Sequence, residues 1–179
     1  GSHTEEDLLR PSNPYSATKA AADMLVLAWA RTFNLPYVIV RPTNNYGIGQ
    51  YVEKLIPKAV KYLTIGRQVD IHQNGTPVRT WLHVDDTARA VLAVIDSGVK
   101  NDIFNISGNY EESNIEIAKK IIKLVKNTDD YEKYVDFTWS RPGQDVRYSI
   151  DDSKLQALGW RARANFDDEL VKIVHYYQN

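Results

Sequence analysis

Apolar and polar positions along the chain follow two alternating rhythms, which predict a series of helices and short strands. Residues 1–14 are polar and broken by proline, as a loop would be. An alanine-rich run predicts a helix over 15–33, closed by Asn34 and Pro36. Residues 37–41, Tyr-Val-Ile-Val-Arg, form an apolar run suited to a buried parallel strand. Residues 42–49 read as a loop at the carboxyl end of that strand, where open α/β sheets bind ligands. A helix is predicted over 53–64, with Pro57 tolerated in its first turn. Segments 69–72 and 78–84 read as short strands around a turn at Gln73-Asn74-Gly75. Asp85 is expected to cap a helix reaching about residue 96, with no further role for Asp85 or Asp86. Residues 103–107 form a second buried-strand candidate. Ser113 is expected to cap a helix through residue 125, with Glu116 placed for a capping box. A polar linker, a short strand at 135–139, a loop around Arg141-Pro142-Gly143, a short helix near 153–158 and a last helix over 166–177 complete the chain. Helices and strands in this order, without repeats, make the fold α/β.

With 179 residues, the chain can build one substantial core, or one core and a small lobe. Its 43% hydrophobic and 25% charged content is that of a soluble globular protein. A formal net charge of −1 argues against a nucleic-acid surface. The absence of cysteine excludes disulfides, thiolate metal sites and cysteine nucleophiles, and fits a cytoplasmic protein. The four histidines lack metal-ligand spacing, so no metal site is expected. No apolar run is long enough for a membrane span or a signal peptide. Gly1-Ser2-His3 reads either as the remnant of an expression tag or as native loop.

The chemistry concentrates first at Tyr15 and Lys19. On a helix, a spacing of four sets them on one face. A free tyrosine ionises near pH ~10 and is a poor base at neutral pH. An ammonium one turn away favours the phenolate, as a group that takes a proton from a sugar hydroxyl requires. The same spacing occurs on many ordinary helices. Arg79 and Arg141 can clamp a pyrophosphate from two sides, or each can pair with a local aspartate, Asp85 or Asp145. Asn44 and Asn45 can hold sugar hydroxyls, or serve only to form a turn. Lys54 beside Glu53 can meet phosphate, or the two can be a solvated pair. No Ser-His-Asp arrangement is recognisable. No glycine-rich dinucleotide turn occurs anywhere, so the chain is expected to be the later part of an enzyme whose cofactor-binding half is missing.

Six segments together resemble the extended short-chain dehydrogenase/reductase superfamily. They are Pro-Tyr-Ser-Ala-Thr-Lys at 14–19, Arg-Pro-Thr-Asn-Asn-Tyr-Gly at 41–47, Glu-Lys-Leu-Ile-Pro at 53–57, Arg-Thr-Trp-Leu-His-Val-Asp-Asp at 79–86, Phe-Asn-Ile-Ser-Gly at 104–108 and Arg-Pro-Gly-Gln-Asp-Val-Arg-Tyr-Ser-Ile-Asp at 141–151. Within it the chain is most similar to the nucleotide-sugar 4,6-dehydratases, dTDP-glucose 4,6-dehydratase among them. The second and third segments favour a dehydratase over an epimerase.

The resemblance implies the last part of a Rossmann-like parallel sheet, with strands 37–41 and 103–107 finishing seven strands, plus a small α/β C-terminal substrate-binding lobe. Residues 1–50 and 79–108 would belong to the NAD-binding part, and 51–78 with 109–179 to the nucleotide-sugar lobe. NAD would be the cofactor, held by Tyr15, Lys19, Pro42 and Asn45, with Tyr15 as base and Lys19 on the nicotinamide ribose. The nucleotide sugar would be held by Asn44, Glu53, Lys54, Leu55, His72, Arg79, Asn114, Arg141 and Gln144. The resemblance further implies a homodimer through the Tyr15/Lys19 helix, with Met24, Leu27 and Trp29 as contact candidates. His72-Gln73 stands where dTDP-glucose enzymes carry a base-stacking tyrosine, and Gln144 where many carry histidine, so dTDP against UDP stays open. The Thr/Ser-Asp-Glu run that serves water loss in the family is absent, and the chain alone is expected to be inactive. A related epimerase or decarboxylase, and a non-catalytic nucleotide-sugar binder, are the other readings.

Overall fold

The computed structural model describes residues 2–138 and 149–179. Arg141 and Gln144 lie outside them. Helix α1 (Pro14–Phe33) starts where the Asn13 side chain accepts the Ser16 backbone N–H at 2.9 Å. Pro14 begins the helix, where no N–H is needed. Asn34 ends α1 in the left-handed region, φ 51°. Strand β1 (Val38–Pro42) follows, then β2 (Asn44–Tyr46), α2 (Leu55–Thr64) and β3 (Val69–Asp70). A 3-10 turn at His72–Gly75 leads to β4 (Val78–His83) and α3 (Val84–Asp96). Next come β5 (Asp102–Ile106), β6 (Tyr110–Ser113) and α4 (Asn114–Lys126). The chain ends through β7 (Val135–Asp136), α5 (Ser153–Gln156) and α6 (Phe166–Gln178).

Among the described residues the strands form three small sheets. β1 and β5 run parallel, with Val40 opposite Phe104. β4 is the centre of a second sheet, parallel to β2 and antiparallel to β6. β3 pairs in parallel with β7. The described residues form two apolar clusters. The larger is built on three helices, whose buried residues recur at steps of three and four: Ile56, Val60 and Leu63 of α2; Ile117 and Ile121, and beside them Ala118 and Ile122, of α4; Phe166, Leu170, Ile173 and Tyr177 of α6. Each such side chain contributes on the order of 1.5–3 kcal/mol when fully buried. The smaller gathers Leu82, Ala90, Val94, Phe104 and Ile106 with Leu155 and Trp160. Tyr46 and Trp81 belong to the larger cluster, while Leu155 and Trp160 return to the smaller one. Gly108 lies where the chain crosses the Trp81 carbonyl so closely that a Cβ would sit 1.8 Å from its oxygen.

Several local expectations change. The segment after β1 is not all loop, because Asn44–Tyr46 pairs with β4. Helix α2 begins at Leu55, with Lys54 at its cap position, rather than at residue 53. Segments 69–72 and 78–84 do not pair with each other: β3 joins β7, and β4 joins β2 and β6. The expected turn at 73–75 is part of the 3-10 turn. β6 went unseen because its four residues, Tyr-Glu-Glu-Ser, carry no apolar alternation. Ser113 does cap α4, accepting from the Glu116 N–H at 3.4 Å. The reciprocal half of the box is absent: the Ser113 N–H donates to Glu112, and Glu116 pairs with Lys119 at 2.7 Å. Asp85 does not cap α3; the cap is His83, whose Nδ1 accepts the Asp85 N–H at 3.3 Å.

Candidate active site

Asn44 and Asn45 lie next to each other on β2 and behave differently. Alternate side chains of a strand point to opposite faces. Asn45 is committed inside the protein: its Nδ2 donates to the Thr43 carbonyl at 3.0 Å and its Oδ1 accepts from Thr87 Oγ1 at 2.5 Å. Asn44 is exposed, and its amide has no protein partner among the described residues. A polar amide free at the carboxyl end of a parallel strand is available to a ligand.

The sheet of β2, β4 and β6 and the segments flanking it carry further expected residues. Trp81 sits opposite Asn44, and Arg79 lies two positions earlier on β4, hence on the same face as Trp81. Arg79 donates from Nη1 to the Val78 carbonyl at 2.8 Å and faces Glu112 across the strand pair. Asn114 opens α4 directly after β6; its backbone N–H donates to the Pro77 carbonyl at 3.1 Å. His72 lies in the 3-10 turn with its Nδ1 buried and unpartnered. That turn is held against α4 at Gly75, φ 73°, where a Cβ would meet the Ile115 side chain. Lys54 and Glu53 stand exposed before α2, with 3.9 Å between their charged atoms, so they form a weak solvated pair. Leu55 packs against the larger core.

Tyr15 and Lys19 stand apart from that group, on the first turns of α1. Tyr15 is 70% exposed, Lys19 is exposed too, and neither side chain is engaged among the described residues. Helix α1 is fastened to β1 by an ion pair in which Arg41 Nε meets Asp23 Oδ2 at 2.8 Å. The other tyrosine near the site, Tyr46, is unfit as a base. Burial, then the carboxylates of Glu169 and Asp86, push its phenol well above the ordinary value. An open phenol and an open ammonium on one helix face suit the ribose end of a nicotinamide cofactor. Pro42 is exposed at the end of β1.

Three residues near the site do more than expected: Asp86, read only as part of a helix cap with no further role, and His83 and Thr87, which were not singled out. Asp86 is buried at 3% exposure and binds the backbone N–H groups of Arg163 at 2.9 Å and Ala164 at 3.0 Å, and it pairs with Arg89. Burial raises its pKa, but these hydrogen bonds outweigh it and hold the carboxyl below its ordinary range. His83 joins both halves of the molecule, since its Nε2 lies 3.5 Å from Glu169 of α6 while its Nδ1 caps α3. Thr87 holds Asn45 from α3. The His-Val-Asp-Asp-Thr run held the signal for all three, but only as residues beside a helix start. Among the described residues no helix is long and apolar enough to cross a membrane.

Comparison with known proteins adds the family. Residues 1–107 match the NAD dependent epimerase/dehydratase family. The chain is 38% identical to a dTDP-glucose 4,6-dehydratase of Escherichia coli over 98% of its own length and 51% of the relative's. It is 40% identical to a trifunctional protein of Arabidopsis thaliana that includes a UDP-glucose 4,6-dehydratase, over 99% of this chain and 26% of that one. The crystal structure of a dTDP-glucose 4,6-dehydratase from Streptomyces venezuelae, solved with NAD bound, matches with a TM-score of 0.93 and 36% identity, over 99% of this chain and 55% of that one. The chain thus spans about half the length of the dTDP-glucose dehydratases it matches. It belongs to the NAD dependent epimerase/dehydratase family, whose cofactor is NAD.

Proposed function

We propose that this member of the NAD dependent epimerase/dehydratase family is the catalytic-tyrosine and substrate-lobe portion of a nucleotide-sugar 4,6-dehydratase. The observation that carries the reading is the pairing of an uncommitted Tyr15/Lys19 face with an uncommitted Asn44 at the carboxyl end of the parallel strands. NAD, when bound, accepts the hydride from carbon 4 of the hexose and later returns it to carbon 6. Tyr15 takes the proton of the 4-hydroxyl, and Lys19 favours the phenolate and binds the nicotinamide ribose. Pro42 and Asn45 line the cofactor side through their backbone. Asn44 binds the sugar and orients its ring. Lys54, Leu55 and Glu53 border the sugar and diphosphate. Arg79 and Arg141 neutralise the diphosphate, while Asn114, His72 and Gln144 border the nucleotide. The acid and base for loss of water across carbons 5 and 6 come from outside these residues. The two regions meet the ligand from opposite sides, α1 from the cofactor side and the sheet of β2, β4 and β6 from the sugar side. The exposed face of α1 is the proposed homodimer contact.

The test is Tyr15→Phe in the full-length protein, assayed with both dTDP-glucose and UDP-glucose for the 4-keto-6-deoxy product. Turnover is expected to fall by about 10²–10⁴ while sugar-nucleotide affinity stays within about twofold. Unchanged turnover sinks the assignment of Tyr15. A 4-epimer in place of the keto sugar transfers the reading to an epimerase.

A further inference from the structure

The segment that carries Asn44 is fastened from two directions by residues that the proposed function assigns to neither substrate nor cofactor. From α3, Thr87 Oγ1 donates to Asn45 Oδ1 at 2.5 Å. From the far end of α6, the Tyr177 hydroxyl donates to the Gln50 backbone carbonyl. Gln50 closes the circuit: its side-chain Nε2 donates to the Asn45 carbonyl at 2.9 Å. Asn45 thus has three of its polar atoms spoken for, since its Nδ2 also donates to Thr43. Thr43 in turn accepts the Gly108 N–H at 3.0 Å, so the loop is tied to the crossing over β4. Tyr177 is itself packed into the larger core.

We infer that Thr87 and Tyr177 are positioning residues for Asn44, joined through Asn45 and Gln50, and that they set the aim of the substrate-binding amide. The inference rests on the dehydratase reading for Asn44's ligand. The physical argument is local. A three-residue strand is too short to hold its own direction, and its two neighbouring side chains share one backbone. Fixing Asn45 at its amide and its carbonyl removes the φ and ψ freedom that would otherwise let Asn44 swing. A ligand then meets an amide already ordered, and the ordering cost is not charged to binding. One fastening comes from the helix behind the sheet and the other from the substrate lobe, so the loop registers the position of both.

The experiment compares Thr87→Val, Thr87→Ser and Tyr177→Phe in the full-length protein. Thr87→Val keeps the shape and removes the donor. Its KM for the nucleotide sugar is expected to rise about tenfold, the usual worth of one such hydrogen bond, with kcat within about twofold. Thr87→Ser should restore KM, and Tyr177→Phe should raise it by a smaller factor. Hydrogen exchange of residues 43–50 should accelerate in Thr87→Val without any change in α2 or α4, and this readout needs no turnover. If the unmutated protein turns over no nucleotide sugar, the dehydratase reading fails while the exchange result still judges the fastening. The inference is overturned if Thr87→Val leaves exchange in the loop unchanged. It is equally overturned if KM is unmoved, or if kcat and thermal stability fall together and Thr87→Ser does not rescue them.

Discussion

The helical lobe and the α1 region use similar amounts of apolar sequence to different ends. In α2, α4 and α6 the apolar residues recur at helical spacing, and each stripe meets two others, so the cluster closes on itself. Helix α1 is twice as long as α2 and carries Met24, Leu25, Val26, Trp29 and Phe33, yet none of its residues is buried. Leu25, Val26 and Trp29 instead line an open groove of about 350 Å³ with Leu35, Pro36 and Tyr37. Of the expected dimer contacts, Met24 and Trp29 are exposed and Leu27 is half-buried. The lesson is that apolar content does not make a core; a stripe stabilises a fold only when another stripe of the same chain faces it. The contrast has a functional side. Within this chain the proposed base lies on the helix with no buried residue, whereas the substrate-side residues lie on elements packed on a closed core.

The sharpest way to break this comparison is a matched pair of truncations. Leu170→Ala, in the closed core, is expected to cost about 2–5 kcal/mol in urea unfolding. Leu25→Ala on α1 should cost less than about 0.5 kcal/mol, as surface substitutions do. Equal costs would mean that α1 is covered in solution. A second, intermediate effect is expected at Asp86, which ties α3 to the segment before α6 by holding residues 163 and 164. Asp86→Asn should cost about 1–3 kcal/mol. Its folded pKa is depressed, so its contribution is fully present above the ordinary carboxylate range near 3.8 and is lost as pH falls through the lower folded value. The unmutated chain should therefore lose stability on acidification below about pH 4 more steeply than the Asn variant, measured by unfolding at stepped pH. Parallel pH profiles would remove Asp86 from the account. The smallest effect on folding is expected from Trp29→Glu. On an exposed face it should change stability by less than about 0.5 kcal/mol, yet sedimentation of the full-length protein should move from dimer to monomer. A dimer that survives the charge would place the contact elsewhere.

Much of this was legible along the chain, for reasons of distance. The ends of α1 follow from Pro14 and Asn34, and the start of α4 from Ser113, because caps act over three or four residues. Two apolar runs marked β1 and β5 as buried strands, and the structure pairs them with each other in parallel. Short strands were less legible. β2 and β6 have three and four residues, too few to display a period, and their partner β4 lies tens of residues away in both cases. The two short strands expected over 69–84 are both present, but their partners were not legible for the same reason: β3 pairs with Val135–Asp136. At the site, residue chemistry alone left the two asparagines alike, and only the family resemblance gave Asn44 to the sugar and Asn45 to the cofactor. The structure separates them by giving one to Thr87 and leaving the other open.

The sequence by itself determined the α/β class, the principal helices, and the residues able to do the chemistry: a tyrosine and a lysine one turn apart, two adjacent asparagines, an arginine ahead of a histidine and paired aspartates. These depend on residue identity and on contacts within a turn or two, which spacing encodes directly. Only the tertiary structure decided which asparagine is free, that Asp86 is a buried anchor for residues 77 and 78 positions ahead, that His83 rather than Asp85 caps α3, and that α1 presents a bare apolar face. Those outcomes depend on which distant segment arrives alongside, and burial and hydrogen bonding between remote residues leave no period in the string that carries them.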